Sequence, residues 1–426
     1  MERPRILPGN SRFSSNNIEA DILMNHSKAL VTLFVAAALS GSRALAQPDF
    51  EPAYETEKSR VSFAPGIKVI RGKTQTIAPG VESVCPTGIV FKYNNGDIHV
   101  YDRRSRDGGK TWSQGKDVVE ASTFQYPAPD GEVLMFRSYD APDYKDYSGR
   151  ANSSAGRPES RVNETGQKGV YEARFFRSKD NGITRMEDNA KVYLPAEFGV
   201  RTGVIYRKII QTSDGSLLTS MAFRTGKYRK LVALRSTDRG KTWRYLSTIA
   251  FDLSNRAVSS EGFNETSLLA LPDGKILSIM RSGASYTASL GSLAGTESDA
   301  ETPFSYKRQT PLYTSTSIDG GKTWSNAEPI APFGVWPDAV LLKNGIITVS
   351  YGRPGNWIMF SPDAGKNWGP VLQFYNDLYP PDCGNYFSSI EVAPDVLLVA
   401  YARTDPNDRW KSDLVGTYFQ VKRVQN

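Results

Sequence analysis

Histidine and cysteine are scarce in this 426-residue chain, which has two of each. Two histidines cannot furnish both the paired-His helix of a zinc protease and a spare, and a two-His iron site would consume them all. His26 lies in a segment read below as a leader, so any Ser-His-Asp relay would rest on His99 alone. Two cysteines do not make a disulfide scaffold, although an oxidising compartment permits one bridge, expected between Cys85 and Cys383. No block of like charge exists either: 52 Lys+Arg and 45 Asp+Glu are scattered along the sequence. That distribution excludes the basic footprint of a nucleic-acid or membrane-surface binder. No segment approaches ~18 consecutive apolar residues, so no spanning helix is expected.

What is present begins with a targeting pattern. Met24-Asn25-His26-Ser27-Lys28 precedes an apolar run over residues 29–40, and Ala44-Leu45-Ala46 precedes Gln47. A short basic head, a brief apolar stretch and small residues at the minus-three and minus-one positions make a secretory signal. The reading is therefore a leader with an upstream extension over 1–46 and one body over 47–426. Removing the five cations and three anions of residues 1–46 leaves 47 against 42, a net of +5. The mature form is expected to be secreted or periplasmic, off the membrane and without a nucleic-acid partner.

Five segments share one eight-residue pattern: Ser105 to Trp112, Ser178 to Arg185, Ser236 to Trp243, Ser317 to Trp324 and Ser361 to Trp368. In each, Ser and Asp can bond the backbone N–H groups of their own turn, Gly can take the left-handed conformation, and in four of the five a Trp offers a surface to bury. An earlier turn precedes every box, at Asn95-Gly96, Asp130-Gly131, Asp214-Gly215, Asp273-Gly274 and Asn344-Gly345, with Pro394-Asp395 as a sixth. Apolar stretches flank these turns, the signature of strand, tight turn and strand. Six units over residues 85–424 average about 57 residues, a normal blade size. The fold class expected is an all-β, six-bladed propeller of four-stranded antiparallel sheets, closed by an N-terminal strand such as Arg60 to Ile70.

Strand direction then assigns faces. The first turns and the boxes share one end, which makes the boxes structural and sends the long insertions, roughly 140–169 and 282–310, to the other end, where binding loops gather. Counting forward from each first turn, the second strand ends on Arg103, Arg137, Arg224, Arg281, Arg353 or Arg403. Converging guanidinium forks favour an anionic substrate. Carboxylates on the same side include Glu265, at the start of an inner strand, and Asp140, Asp143 and Asp146 in the first long insertion. A carboxylate among arginines is a candidate catalytic group or a structural partner of one of them.

The boxes on six units resemble the Asp-box, or BNR, repeats of the sialidase (neuraminidase) superfamily. More specific is Asn264-Glu265, followed by Leu271-Pro272-Asp273-Gly274 and then Arg281. The resemblance implies that Glu265 activates a tyrosine nucleophile and that Arg281 and Arg353 hold a substrate carboxylate, with Arg137 and Arg224 as further binding candidates. A neutral tyrosine approaches an anomeric carbon bearing a carboxylate without the repulsion a carboxylate nucleophile would meet. The tyrosine is expected at Tyr386. Eight residues back from the sixth turn falls on Phe387, so Tyr386 needs a bulge to face the channel. The general acid falls on Asp140, Asp143 or Asp146, and nothing in the spacing selects among them. The family's Arg-Ile-Pro stretch is replaced by Val84-Cys85-Pro86. The resemblance implies no cofactor and no metal, and an acidic glycan as partner. The activity expected is release of a terminal acidic sugar. Its rivals are a uronate glycosidase or lyase on the same scaffold, and a propeller that binds carbohydrate without cleaving it.

Overall fold

The turns set the architecture. At Leu271 to Lys275 the Gly274 N–H donates to the Leu271 carbonyl and the Leu271 N–H to the Lys275 carbonyl, with Gly274 at φ 84°. This is a type I turn closed by a left-handed residue, which only glycine enters without strain. The same pair of bonds recurs around Gly96, Gly131, Gly215 and Gly345. The sixth turn is shorter, Pro394-Asp395 between the paired Ala393 and Val396, and there Asp395 is left-handed at φ 64°.

The computed structural model describes residues 66–82, 90–100, 102–114, 123–137, 161–225, 228–251, 262–282, 311–331, 334–352, 355–375, 388–405 and 408–424. Among them the chain is all-β, in a propeller-like arrangement of four-stranded antiparallel sheets. The fourth repeat is representative: Phe263–Ala270, Ile276–Ser282, Leu312–Ser317 and Glu328–Ala331 form a meander in chain order. The first strand of each repeat is innermost, and those of repeats two to six and one touch in succession around an axis. No helix among the described residues is long and apolar enough to cross a membrane.

Six four-stranded sheets were expected, and the structure corrects this to five plus a barrel. The third repeat, Thr202–Gln211, Leu217–Thr225, Tyr228–Ser236 and Thr242–Ala250, is extended by Arg161–Glu164, Val170–Ala173 and Ala190–Tyr193 into a closed seven-stranded ring. Arg161–Glu164 pairs with the inner edge strand and Ala190–Tyr193 runs parallel to the outer one. Both edges of the sheet are thereby covered, which removes the unpaired N–H and C=O rows that an open blade leaves.

The sixth sheet is closed by the N-terminus, as expected, but by Ile67–Glu82 rather than 60–70. This strand pairs antiparallel with Asp408–Arg423 along its length and buries Ile67, Val69, Ile77, Ala78 and Val81.

The boxes are interlocks between neighbours. In the first, Ser105 Oγ accepts the Gly109 N–H at 2.8 Å, and Asp107 accepts the N–H and hydroxyl of Thr111 at 3.0 and 2.6 Å. The other four repeat these bonds with minor variation. A Cβ at Gly109, Gly182, Gly240, Gly321 or Gly365 would strike Tyr418, Tyr93, Leu134, Leu218 or Leu277, in each case a side chain of the preceding repeat. The sixth repeat has no box. At its seam Arg423 donates to the carbonyls of Asn344 and Pro362, both at 2.7 Å. One side chain thus bridges a first turn and a box, as the shared-face reading requires.

Candidate functional site

The axis gathers charge where the inner strands break their ladders. Pairing shifts between Tyr206 and Ile209, between Asn264 and Thr266, and between Val335 and Asp338. The residues left out of the pairing at these shifts are Arg207 and Lys208, Glu265, and Trp336 with Pro337. Glu265 has φ 36° and Trp336 φ 51°. Left-handed backbone at a non-glycine residue costs on the order of 1–2 kcal/mol, and it persists only where surroundings hold it.

Two hydrogen bonds hold the Glu265 carboxylate. Its Oε1 accepts from Arg281 Nη1 at 2.7 Å and its Oε2 from the Trp336 N–H at 2.9 Å. The Glu265 and Arg281 side chains each retain 10% exposure. Glu265 and Arg281 stand on the first and second strands of the fourth repeat, where Asn264 pairs with Arg281 across the ladder. The sixteen-residue spacing read in sequence therefore becomes direct contact.

A second cluster crosses the axis. Asp338, fully buried on the first strand of the fifth repeat, lies 3.4 Å from Arg207 Nη1 and 2.9 Å from Lys208 Nζ of the third. Its Oδ2 also accepts from the Ser388 hydroxyl at 3.0 Å and the Ser389 N–H at 2.7 Å in the sixth. Burial alone would raise the Asp338 pKa. The charges of Lys208 and Arg207 outweigh it and hold the carboxyl below the usual range. Arg207 lies over the Trp336 ring at 4.5 Å, and Tyr206 meets that ring edge-on at 6.4 Å. Arg229 Nη1 donates to the Tyr206 hydroxyl at 3.2 Å.

Among the described residues, Arg207, Lys208, Arg229 and Arg281 thus stand against Glu265 and Asp338. Guanidinium forks that converge on one region favour an anionic ligand.

The other sequence candidates fare differently. Arg224 is exposed and sits across the ladder from Arg229. Arg137 ends Val133–Arg137, and its side chain lies outside the described residues. Arg403 is bound at 2.8 Å to Asp413 on the neighbouring strand of its own sheet. Arg103 does not end a second strand: it opens the third, Arg103–Ser105, because the second, Ile98–Val100, is only three residues long. Arg353, Tyr386, Asp140, Asp143, Asp146, Cys85 and Cys383 lie outside the described residues, as does the segment 1–46 expected to be a leader.

Tyr206, Arg207, Lys208, Arg229, Trp336 and Asp338 were missed. A signal existed. Tyr206, Glu265 and Trp336 each stand eight residues before their turn residue, Asp214, Asp273 and Asn344, so they occupy one equivalent position in three successive repeats.

No protein-family model matches the chain, and no curated protein sequence matches it. Solved structures do. A protein of unknown function from Dyadobacter fermentans DSM 18053 matches with a TM-score of 0.58 at 19% identity, over 84% of this chain and 100% of that one. The Hadza microbial sialidase Hz136 matches with a TM-score of 0.52 at 16% identity, over 84% and 70%. The α-L-arabinanase of Penicillium chrysogenum, complexed with arabinobiose, matches with a TM-score of 0.51 at 15% identity, over 82% and 98%. The chain shares its fold with these proteins. Two of the three are named for glycan cleavage, one on an acidic and one on a neutral sugar. Fold likeness does not divide those substrates.

Proposed function

We infer that the chain is a secreted, sialidase-like glycoside hydrolase that releases a terminal acidic sugar from glycans. The observation that carries this reading is the Glu265–Arg281 pair at the axis, with Arg207, Lys208, Arg229 and Asp338 beside it. The sialidase and arabinanase neighbours match almost equally well, so the choice between acidic and neutral sugar rests on the guanidinium groups gathered beside Glu265, whose forks fit a carboxylate.

In this reading Arg281 and Arg353 grip the sugar carboxylate. The Tyr386 oxygen attacks the anomeric carbon while its proton passes to Glu265, and Asp140, Asp143 or Asp146 protonates the departing glycosidic oxygen. Water, deprotonated by that same aspartate, then displaces the tyrosine, which recovers its proton from Glu265. The reaction calls on no metal and no cofactor.

One observation favours a second reading, a propeller that binds acidic carbohydrate without cleaving it: both Glu265 oxygens are already engaged, by Arg281 and by the Trp336 N–H. The full chain incubated with sialosides, uronate-terminated oligosaccharides and arabino-oligosaccharides separates the readings. Reducing sugar released from an acidic substrate is expected. Binding of the acidic set without release favours the second reading, and release from arabino-oligosaccharides alone overturns both.

A further inference from the structure

The fourth residue of the box takes left-handed backbone in every copy, with φ between 56° and 76°, and it is Gly108, Asn181, Arg239, Gly320 or Ala364. Four of these side chains are short. Arg239 is long and charged, and its side chain is 60% exposed. It reaches back to the first turn of the second repeat, where it pairs with Asp130 and, at 3.1 Å, with Glu132. An exposed ion pair adds little to stability, no more than left-handed backbone at a non-glycine residue costs. Holding the seam together therefore does not account for an arginine here.

What Arg239 borders is a cavity of about 300 Å³ between the second and third repeats, on the box-bearing face. That is the small end of the range for ligand sites. Tyr126, Leu134 and Leu217 supply apolar lining, and Asp130, Glu132, Arg177 and Arg239 supply charged groups. Arg177 donates to Glu132 at 3.1 Å and to the Arg239 carbonyl at 2.8 Å, so its fork is fixed in place. Among the described residues nothing binds the Tyr126 hydroxyl.

We propose that this cavity is a second carbohydrate site, distinct from the axis, that takes a neutral sugar unit. Each ion pair sets a donor beside an acceptor. A sugar hydroxyl donates and accepts at once and so answers both partners, whereas a charged ligand is attracted by one and repelled by the other. A tyrosine ring among aliphatic side chains suits the C–H face of a sugar, and its hydroxyl offers one more hydrogen bond. The inference rests on the hydrolase reading for its ligand class, since a glycan that has lost a terminal acidic sugar can end in a neutral one. Its binding is read without turnover.

Lactose, cellobiose and arabinobiose, neutral disaccharides of different stereochemistry, are titrated into the full chain by calorimetry. At least one is expected to bind. Arg239→Gly, which puts there the residue of the first and fourth boxes and so leaves the backbone unstrained, is expected to weaken that binding about tenfold. Tyr126→Phe removes only the hydroxyl and stands in if Arg239→Gly does not fold; about threefold weakening is expected. Glu265→Gln at the axis is expected to leave the affinity unchanged, and Arg239→Gly to keep kcat/KM on a small acidic glycoside within about twofold of wild type. No binding of any of the three, unchanged affinity in the cavity variants, or binding lost in Glu265→Gln overturns the proposal. If acidic glycosides are cleaved while the disaccharides go unbound, the second site falls and the hydrolase stands. If a disaccharide binds and the cavity variants weaken it while no acidic glycoside is cleaved, the hydrolase falls and the second site stands.

Discussion

The box-bearing face and the axis solve the same problem, holding neighbouring repeats together, in opposite ways. On the box face the solution is local and repeated: Ser and Asp satisfy their own turn, and glycine lets it approach the preceding repeat. At the axis it is long-range and unrepeated, since one equivalent position carries tyrosine, glutamate and tryptophan in successive repeats. A scaffold needs the same contact at every seam, whereas a site needs different groups at one point. Repetition in this molecule marks structure, and variation at a repeated position marks chemistry.

The axis is most vulnerable at Asp338. Because Arg207 and Lys208 converge on a fully buried carboxylate, Asp338→Ala leaves them without it and is expected to cost about 3–5 kcal/mol of stability. Urea unfolding measures this, and a loss under 1 kcal/mol would mean that water replaces the ion pairs and the axis is loosely built.

His99 gives the next largest effect. Burial first, then Arg104, pushes its pKa down to about 4, against partial opposition from Asp97. The folded protein keeps His99 neutral, while the unfolded chain protonates it near pH 6.5. Its contribution is thus complete above pH 6.5 and is lost as pH falls towards 4, on the order of 3 kcal/mol. That fall in urea-unfolding free energy should flatten in His99→Gln. An equal slope in both proteins would show that other groups bind the protons.

The smallest effect sharpens the box face. Gly182 and Gly274 share a positive φ, but a Cβ at Gly182 would strike the Tyr93 hydroxyl whereas one at Gly274 meets nothing within 4 Å. Gly274→Ala is expected to cost about 1 kcal/mol for conformation alone, and Gly182→Ala about 1 kcal/mol more. Equal losses in thermal unfolding would remove the interlocking role of the box.

Much of the fold was legible because its signals are local. Turn glycines, box serines and aspartates, and the flanking apolar alternation all act within eight residues, and the structure places them at turns and strands as read. The barrel around the third repeat was not legible: Arg161–Glu164 and Val170–Ala173 are four residues each and pair with each other, but the ring closes only through their pairing with Thr202–Gln211 and Ala190–Tyr193. At the site, Glu265 and Arg281 were found because they lie on one hairpin. Asp338 and Arg207 meet across the axis from repeats that are not neighbours, a relation no spacing encodes. Tyr206 was within reach, since counting back eight residues from Asp214, as from Asp273 to Glu265, lands on it.

A Glu265 that works in the proposed reaction, rather than only holding Arg281 in place, must do so through its charge. Glu265→Gln keeps the size and hydrogen-bonding reach of the side chain and removes that charge, so turnover and affinity for an acidic glycoside should be measured together. Turnover is expected to fall about a thousandfold, with affinity changed by no more than a few fold. Undiminished turnover in the variant would leave Glu265 with a structural role alone.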